Sequence, residues 1–261
     1  VILIPLGTNG FYPSFGRQTM SFLLIDGRRA LLLDAGSGLG RLGEPAIADQ
    51  LRDVAMLEVV LTHYHLDHVI GLTFLPGVWR GRPARIWAPA PPLVEGDPTA
   101  ALGPLLAPPL FPQRPADWPL EVEIRPYSRA ADLEPLGWDL AVRSQTHPGG
   151  SVGLRVGNRL AYVTDTIADP ATVDFVAKVG LLLHEVWWSD AELASTPHAA
   201  GHSSVAAVAD IARRAGIGAL AAVHHRPDRD ANALTTLLAD LRLQSAPVGC
   251  VELIEGHTIR L

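Results

Sequence analysis

Short apolar runs bounded by Gly, Pro, Asp and Asn recur along the whole chain, and most are too short and too continuous to be amphipathic helices. Such runs read as buried strands. They fall at residues 1–6, 20–26, 29–33, 57–61, 85–88, 120–126, 138–145, 159–163, 181–185, 218–223, 251–254 and 258–261, with 20–33 forming a hairpin around Gly27. Between them the period changes. Pro45 in a first turn, followed by Ile47, Ala48 and Leu51, predicts a helix crossing to the next strand. Ser203 or Ser204 as N-cap, Val205, Val208, Ala209 and Ile211 facing inward, and Gly216 as stop predict another. A leucine stripe of Leu234, Leu237, Leu238 and Leu241 places a helix over 232–244 whose apolar face belongs to the core. Helices are also expected to begin at 68–75 and, briefly, at 102–106.

Residues 89–119 break this rhythm. They are rich in Pro, Ala and Leu, so they read as an insertion beside the mouth of a site, with Leu110, Phe111, Pro112 and Trp118 either walling a substrate or packing the insertion onto the body. Hydrophobic residues make up 48% and charged residues 18%, enough apolar material for one large core, so residues 1–261 are expected to form a single domain. Twenty-one basic against 27 acidic residues leave a net charge of −6 with no basic stripe, a poor footprint for gripping a polyanion. The single cysteine, Cys250, cannot form an internal disulfide and reads as a small buried residue in a strand. No run is long enough to span a bilayer, and Val1 to Ile4 lack the basic start of a signal peptide. A cytoplasmic protein with no membrane partner is therefore expected.

The stretch His63-Tyr64-His65-Leu66-Asp67-His68 follows directly on the apolar run that ends at Leu61. Alternate side chains of an extended segment share a face, so His63 and His65 can converge on one point. Once the chain turns, Asp67 and His68 reach a second point beside it. That spacing suggests two metals.

The stretch resembles the His-x-His-x-Asp-His signature of the metallo-β-lactamase-fold hydrolases. Gly7-Thr8, Pro13, Arg17 and the Leu-Leu-Asp-Ala-Gly run ending at Gly36 look like the ribonuclease Z-like and small phosphodiesterase branch, although Gln18 stands where ribonuclease Z generally has Asn. The resemblance implies an α/β fold, a four-layer αβ/βα sandwich, with Asp34 supporting a ligand histidine. His147, followed by Pro-Gly-Gly-Ser-Val-Gly, matches the ligand that completes the first site with His63 and His65. Asp165, in Thr164-Asp165-Thr166, matches a carboxylate bridging both metals, and the first histidine of His224-His225 is favoured to join Asp67 and His68. Glu185 and His202 are similar to a proton-handling pair, whereas His184 and His198 match no motif and are expected to be satisfied locally.

A nitrogen and oxygen shell without thiolate suits two divalent ions, Zn²⁺ first, with Mn²⁺ or Fe tolerated. The expected chemistry is hydrolysis of a small cyclic or nucleotide-like phosphodiester by a metal-bridging hydroxide, with Asp67 orienting it and Glu185 and His202 assisting the leaving oxygen. Alternatives are ribonuclease Z-like tRNA 3′ processing, ester, lactone or thioester hydrolysis, and a non-catalytic metal-binding role. Nucleic acid is the disfavoured partner because the 89–119 insertion carries only Arg114 against Glu95, Asp97 and Asp117. A homodimer is left open.

Overall fold

In the computed structural model, residues 1–196 and 201–261 are described; His198 lies outside them. Among the described residues thirteen strands form in chain order: β1 (Ile2–Gly7), β2 (Ser21–Asp26), β3 (Arg29–Leu33), β4 (Leu57–Val60), β5 (Ala84–Pro89), β6 (Val122–Tyr127), β7 (Leu140–Gln145), β8 (Ser151–Val156), β9 (Leu160–Val163), β10 (Leu181–Glu185), β11 (Ala219–Val223), β12 (Gly249–Cys250) and β13 (Ile259–Arg260). They make two sheets, ordered β13-β1-β2-β3-β4-β5-β6 and β12-β11-β10-β9-β8-β7. Both sheets follow one plan. Antiparallel hairpins lead in (β1-β2-β3 and β7-β8-β9), and parallel strands follow (β3-β4-β5-β6 and β9-β10-β11-β12). Parallel neighbours point their carboxyl ends the same way, so the loops that leave β3, β4, β9, β10 and β11 gather at one edge.

The helices are α1 (Pro45–Gln50), α2 (Leu66–Val69), α3 (Leu75–Val78), α4 (Pro98–Leu102), α5 (Thr172–Phe175), α6 (Asp190–Ser195), α7 (Val205–Ala215) and α8 (Ala231–Ser245). Leu3, Phe22, Leu24, Leu31 and Leu33 meet Leu154, Tyr162, Leu183 and Val223 between the sheets. On the outer face of the first sheet Leu32, Val59 and Ile86 pack on Leu39, Ile47, Leu72 and Leu75. Val163, Leu182 and Leu220 pack on Val208, Ile211, Leu237 and Leu241 outside the second. These three apolar interiors between four layers, two of helices and two of strands, make the expected αβ/βα sandwich. Among the described residues no helix is long and apolar enough to cross a membrane.

Several expectations need correction. The helix expected over 68–75 is broken into α2, a 3₁₀ stretch over Ile70–Phe74, and α3, because Gly71 and Pro76 interrupt it. Strand β8 was hidden inside the Pro-Gly-Gly-Ser-Val-Gly motif, whose two glycines at positive φ turn the chain back into a hairpin with β7. The short helix lies at Pro98–Leu102 rather than 102–106, where Asp97 caps Thr99 and Ala100 and Pro98 opens the first turn. Residues 251–254 are not a strand; the closing strands are only Gly249–Cys250 and Ile259–Arg260. Ser204 holds the N-cap place of α7 without a side-chain cap, since nothing bonds its hydroxyl to the helix. Phe111 and Trp118 pack edge to face, 5.4 Å between centroids, against the outer core of the first sheet, so they do not wall the site. In that insertion it is Glu95 that approaches the site, its N–H donating to Gly149 O in the turn after His147.

The crossing beneath the histidine stretch is tight. Gly71 N–H donates to Ala35 O and Ala35 N–H to His68 O, each at 2.8 Å, and a Cβ on Gly71 would stand 2.1 Å from Gly36 O. Gly71→Ala should therefore lower unfolding free energy by about 1–3 kcal/mol. Gly77→Ala, within α3 and with nothing inside 4 Å of the added atom, should be neutral or gain up to about 1 kcal/mol. Urea denaturation of both variants in chelator checks the pair, and equal effects would contradict a tight crossing at Gly71.

Candidate metal centre

Most of the chemically notable side chains at the gathered edge lie at or beyond a strand end. His63, His65, Asp67 and His68 follow β4, His147 follows β7, Asp165 follows β9, Glu185 ends β10, and His224 follows β11. Asp34, Asp165 and His224 have φ of 57°, 51° and 54°. Side chains other than Gly are disfavoured in this left-handed region by on the order of 1–2 kcal/mol each. Residues held there against that preference concentrate at functional sites.

The structure brings the candidate ligands together in two groups. One ligand atom each from His63, His65, His147 and Asp165 lies within 4.8 Å of the others, and the same holds for Asp67, His68 and His224. Asp165 sits between them: its Oδ1 is 3.8 Å from His63 Nε2, 3.6 Å from His147 Nε2 and 3.2 Å from His224 Nε2, and its Oδ2 is 3.1 Å from His68 Nε2. Asp67 Oδ2 lies 3.2 Å from His224 Nε2 and 3.4 Å from His68 Nε2. Of the neighbouring histidines, His224 is therefore the one that enters the cluster. His225 holds the N-terminal loop by its backbone, its N–H donating to Thr8 O and its carbonyl accepting from Gly10 N.

Surrounding hydrogen bonds set each ring. His68 Nδ1 bonds Asp34 Oδ2 at 2.8 Å, His147 Nδ1 bonds Gly201 O at 3.2 Å, and Thr62 Oγ1 contacts His63 Nδ1 at 3.0 Å. Each contact turns Nε2 toward the cluster, the arrangement that orients metal-bound imidazoles. His63 Nε2 and His68 Nε2 are buried with no hydrogen-bond partner. Buried polar atoms seldom go unsatisfied, so orphaned nitrogens facing carboxylates fit a divalent cation as the missing partner.

Charge agrees with that fit. Burial draws His63 well below its usual range and His147 down to about 4, so both favour the neutral ring that can donate a lone pair. Burial opposes ionisation of Asp67, but His68 and His224 outweigh it and hold the carboxyl well below the usual carboxylate range. Asp165 behaves alike, with His224, His68 and His63 overcoming burial. His68 is held well above its usual range despite burial, because Asp165, Asp67 and Asp34 surround it. A proton there stands in for positive charge that the carboxylates require.

Beside the second group, Glu185 is fully buried, accepts from Thr166 N–H, and bonds His202 Nδ1 through Oε2 at 2.8 Å. Burial pushes the Glu185 carboxyl up and draws His202 down. Geometry alone also groups His202 with Asp165 and His224, its Nδ1 bonded to Glu185 and its Nε2 free among the described residues. His184, fully buried, bonds Glu185 O through Nδ1 at 2.8 Å and does not enter the cluster.

Sequence reasoning missed five participants. Tyr162 donates its hydroxyl to Asp34 Oδ2 at 2.7 Å, and Thr62 donates its N–H to Asp34 Oδ1 at 2.7 Å. Phe11 N–H donates to Asp67 Oδ2 at 2.7 Å, with Gly10 so close that a Cβ would stand 2.4 Å from the His224 ring. Trp187 stacks on His202 at 4.5 Å and 15°. Only Trp187 left a signal, an aromatic residue two places past the strand-end Glu185.

Residues 29–225 match the family model described as the beta-lactamase superfamily domain. A ribonuclease Z from Natronomonas pharaonis is 28% identical, the match covering 84% of this chain and 85% of that protein. Among solved structures, the metallo-β-lactamase-fold protein YhfI from Bacillus subtilis superposes with a TM-score of 0.70 at 20% identity, covering 99% of this chain and 98% of its own. A diphosphatase from the PhnP family superposes at 0.67 and 17%, covering 100% and 97%. With three quarters of its length under the family match, this chain belongs to the beta-lactamase superfamily, and it takes the metallo-β-lactamase fold.

Proposed function

We propose that this protein is a dinuclear metal-dependent hydrolase of a small phosphodiester. The observation that carries this reading is the position of Asp165, within 3.8 Å of ligand nitrogens from both groups at once. His63, His65 and His147 would hold one ion, and Asp67, His68 and His224 the other, with Asp165 shared. Zn²⁺ suits this shell best, and Mn²⁺ or Fe is compatible with it. When bound, two such ions supply a water acidified toward a pKa of about 7 and neutralise phosphoryl oxygens.

The chain's own residues perform the rest. Phe11 N–H fixes one oxygen of Asp67, which leaves the other free to accept a hydrogen bond from the attacking water. Glu185 keeps His202 oriented through Nδ1, so the remaining ring nitrogen, Nε2, serves the cavity. With one proton between Glu185 and Nδ1 and another on Nε2, the pair offers an N–H to a leaving oxygen. Its transfer leaves the Glu185–His202 hydrogen bond in place.

The ribonuclease Z name of the relative supports phosphodiester chemistry and, taken alone, would favour RNA. Charge favours a smaller substrate. Among the described residues no Lys or Arg lines the cavity over the cluster, and RNA backbone binding needs several.

Protein reconstituted with Zn²⁺ or Mn²⁺ should hydrolyse bis-p-nitrophenyl phosphate or cyclic nucleotides in preference to a lactone. Turnover of lactone alone would reject phosphodiester chemistry, and salt-sensitive trailer cleavage of precursor tRNA without diester turnover would reject the small substrate. His202→Ala should lower turnover by about 10²-fold or more while metal content stays unchanged. Metal lost from that variant would place His202 among the ligands.

A further inference from the structure

The cavity above the cluster, about 450 Å³, is chemically divided. Its floor is the histidine and aspartate cluster with His202, and its sides are Phe11, Leu66 and Trp187. Phe11 is 71% exposed and Leu66 64%. Two large apolar side chains held in water around a polar floor mark a surface meant to be covered.

Phe11 is held there firmly. Its φ of 64° puts a bulky residue in the left-handed region, and its N–H is bonded to Asp67. The loop beneath is braced by Arg17 Nε to Asn9 Oδ1 at 2.7 Å, Asn9 Nδ2 to Ser14 Oγ at 2.8 Å, and Gly10 N to His225 O at 3.0 Å. A strained and braced backbone that presents an aromatic ring to solvent has no use in core packing. Leu66 opens α2 between the ligand candidates His65 and Asp67, so its distance from the floor is fixed too. On the remaining side Trp187 is pinned by its stack on His202 and its tilted contact with His224, 5.2 Å between centroids.

Negative charge on a ligand can be met only at the floor, because no Lys or Arg among the described residues lines the walls. A second phosphate on the ligand would find apolar walls instead of a counter-ion. Taking the phosphodiester reading as its premise, we propose that Phe11, Leu66 and Trp187 form an apolar clamp. It selects a singly charged diester that carries a flat aromatic substituent, an aryl group or a nucleobase. Aromatic faces grip such a plane without regard to its hydrogen-bonding edge, which suits a wall made of carbon.

The test uses the metal-reconstituted protein and two comparisons that hold charge constant. Calorimetry should show diphenyl phosphate binding at least about tenfold tighter than dimethyl phosphate. With the leaving group held as p-nitrophenolate, kcat/KM for phenyl p-nitrophenyl phosphate should exceed that for methyl p-nitrophenyl phosphate by a similar factor. Phe11→Ala should bring both ratios most of the way to one, and Leu66→Ala should reduce them partly. A wild-type ratio near one, or an equal fall for aryl and methyl ligands in Phe11→Ala, overturns the clamp, the second outcome marking a purely structural loop. If neither diester is turned over but the Phe11-dependent binding preference remains, the clamp stands and the hydrolytic reading fails. If both are turned over without aryl preference, the hydrolytic reading stands and the clamp fails.

Discussion

One buried carboxylate holds the active edge together. Asp34 is fully buried and accepts from Thr62 N–H, Thr62 Oγ1, Tyr162 hydroxyl and His68 Nδ1. These donors come from the loop after β4, from β9 in the other sheet, and from the histidine stretch itself. Leaving any of them unpaired in a dry interior costs about 1–3 kcal/mol, and stranding a charge costs more. The two sheets therefore have one favourable way to meet at this edge, and that way fixes the direction of His68. Orientation of a candidate ligand is here a by-product of satisfying a core.

From this anchor the rest of the cluster follows by strand ends. Parallel strands deliver their carboxyl ends to a common edge, and the left-handed residues Asp34, Asp165 and His224 turn the chain sharply there. The strain of these turns is offset by contacts that only the native edge supplies: Thr164 Oγ1 to Asp165 Oδ2 at 2.6 Å, Gly10 against the His224 ring, and the bonds to Asp34. Carboxylates and imidazoles so assembled repel or strand one another unless positive charge enters. The raised His68 and the unpartnered His63 Nε2 are signs of that demand.

How much of this was legible in the sequence depended on range. Strands such as β3, β4, β10 and β11 are apolar runs with a polar residue at the end, so both element and candidate ligand could be read locally. The choice of His224 over His225 as candidate ligand needed the family pattern; in the structure it is His224 whose ring lies beside Asp67 and Asp165, since successive residues leave a strand on opposite sides. What was not legible depended on distant partners. Tyr162 reads as a core aromatic until Asp34 is placed 2.7 Å from its hydroxyl. The expected helix over 68–75 failed because Gly71 serves a backbone crossing with Gly36, a long-range demand that overrides helical spacing. Phe111 and Trp118 looked suited to a substrate wall by composition, yet the exposed ring stands on the short braced loop at Phe11.

The central claim is that two groups of ligands share Asp165 and hold two ions. Elemental analysis of protein stripped by chelator, reconstituted with Zn²⁺ or Mn²⁺ and freed of excess ion tests it most directly. About two equivalents per chain are expected, because seven donors exceed what a single four-coordinate site can use. A value that saturates at one equivalent or less would contradict the account.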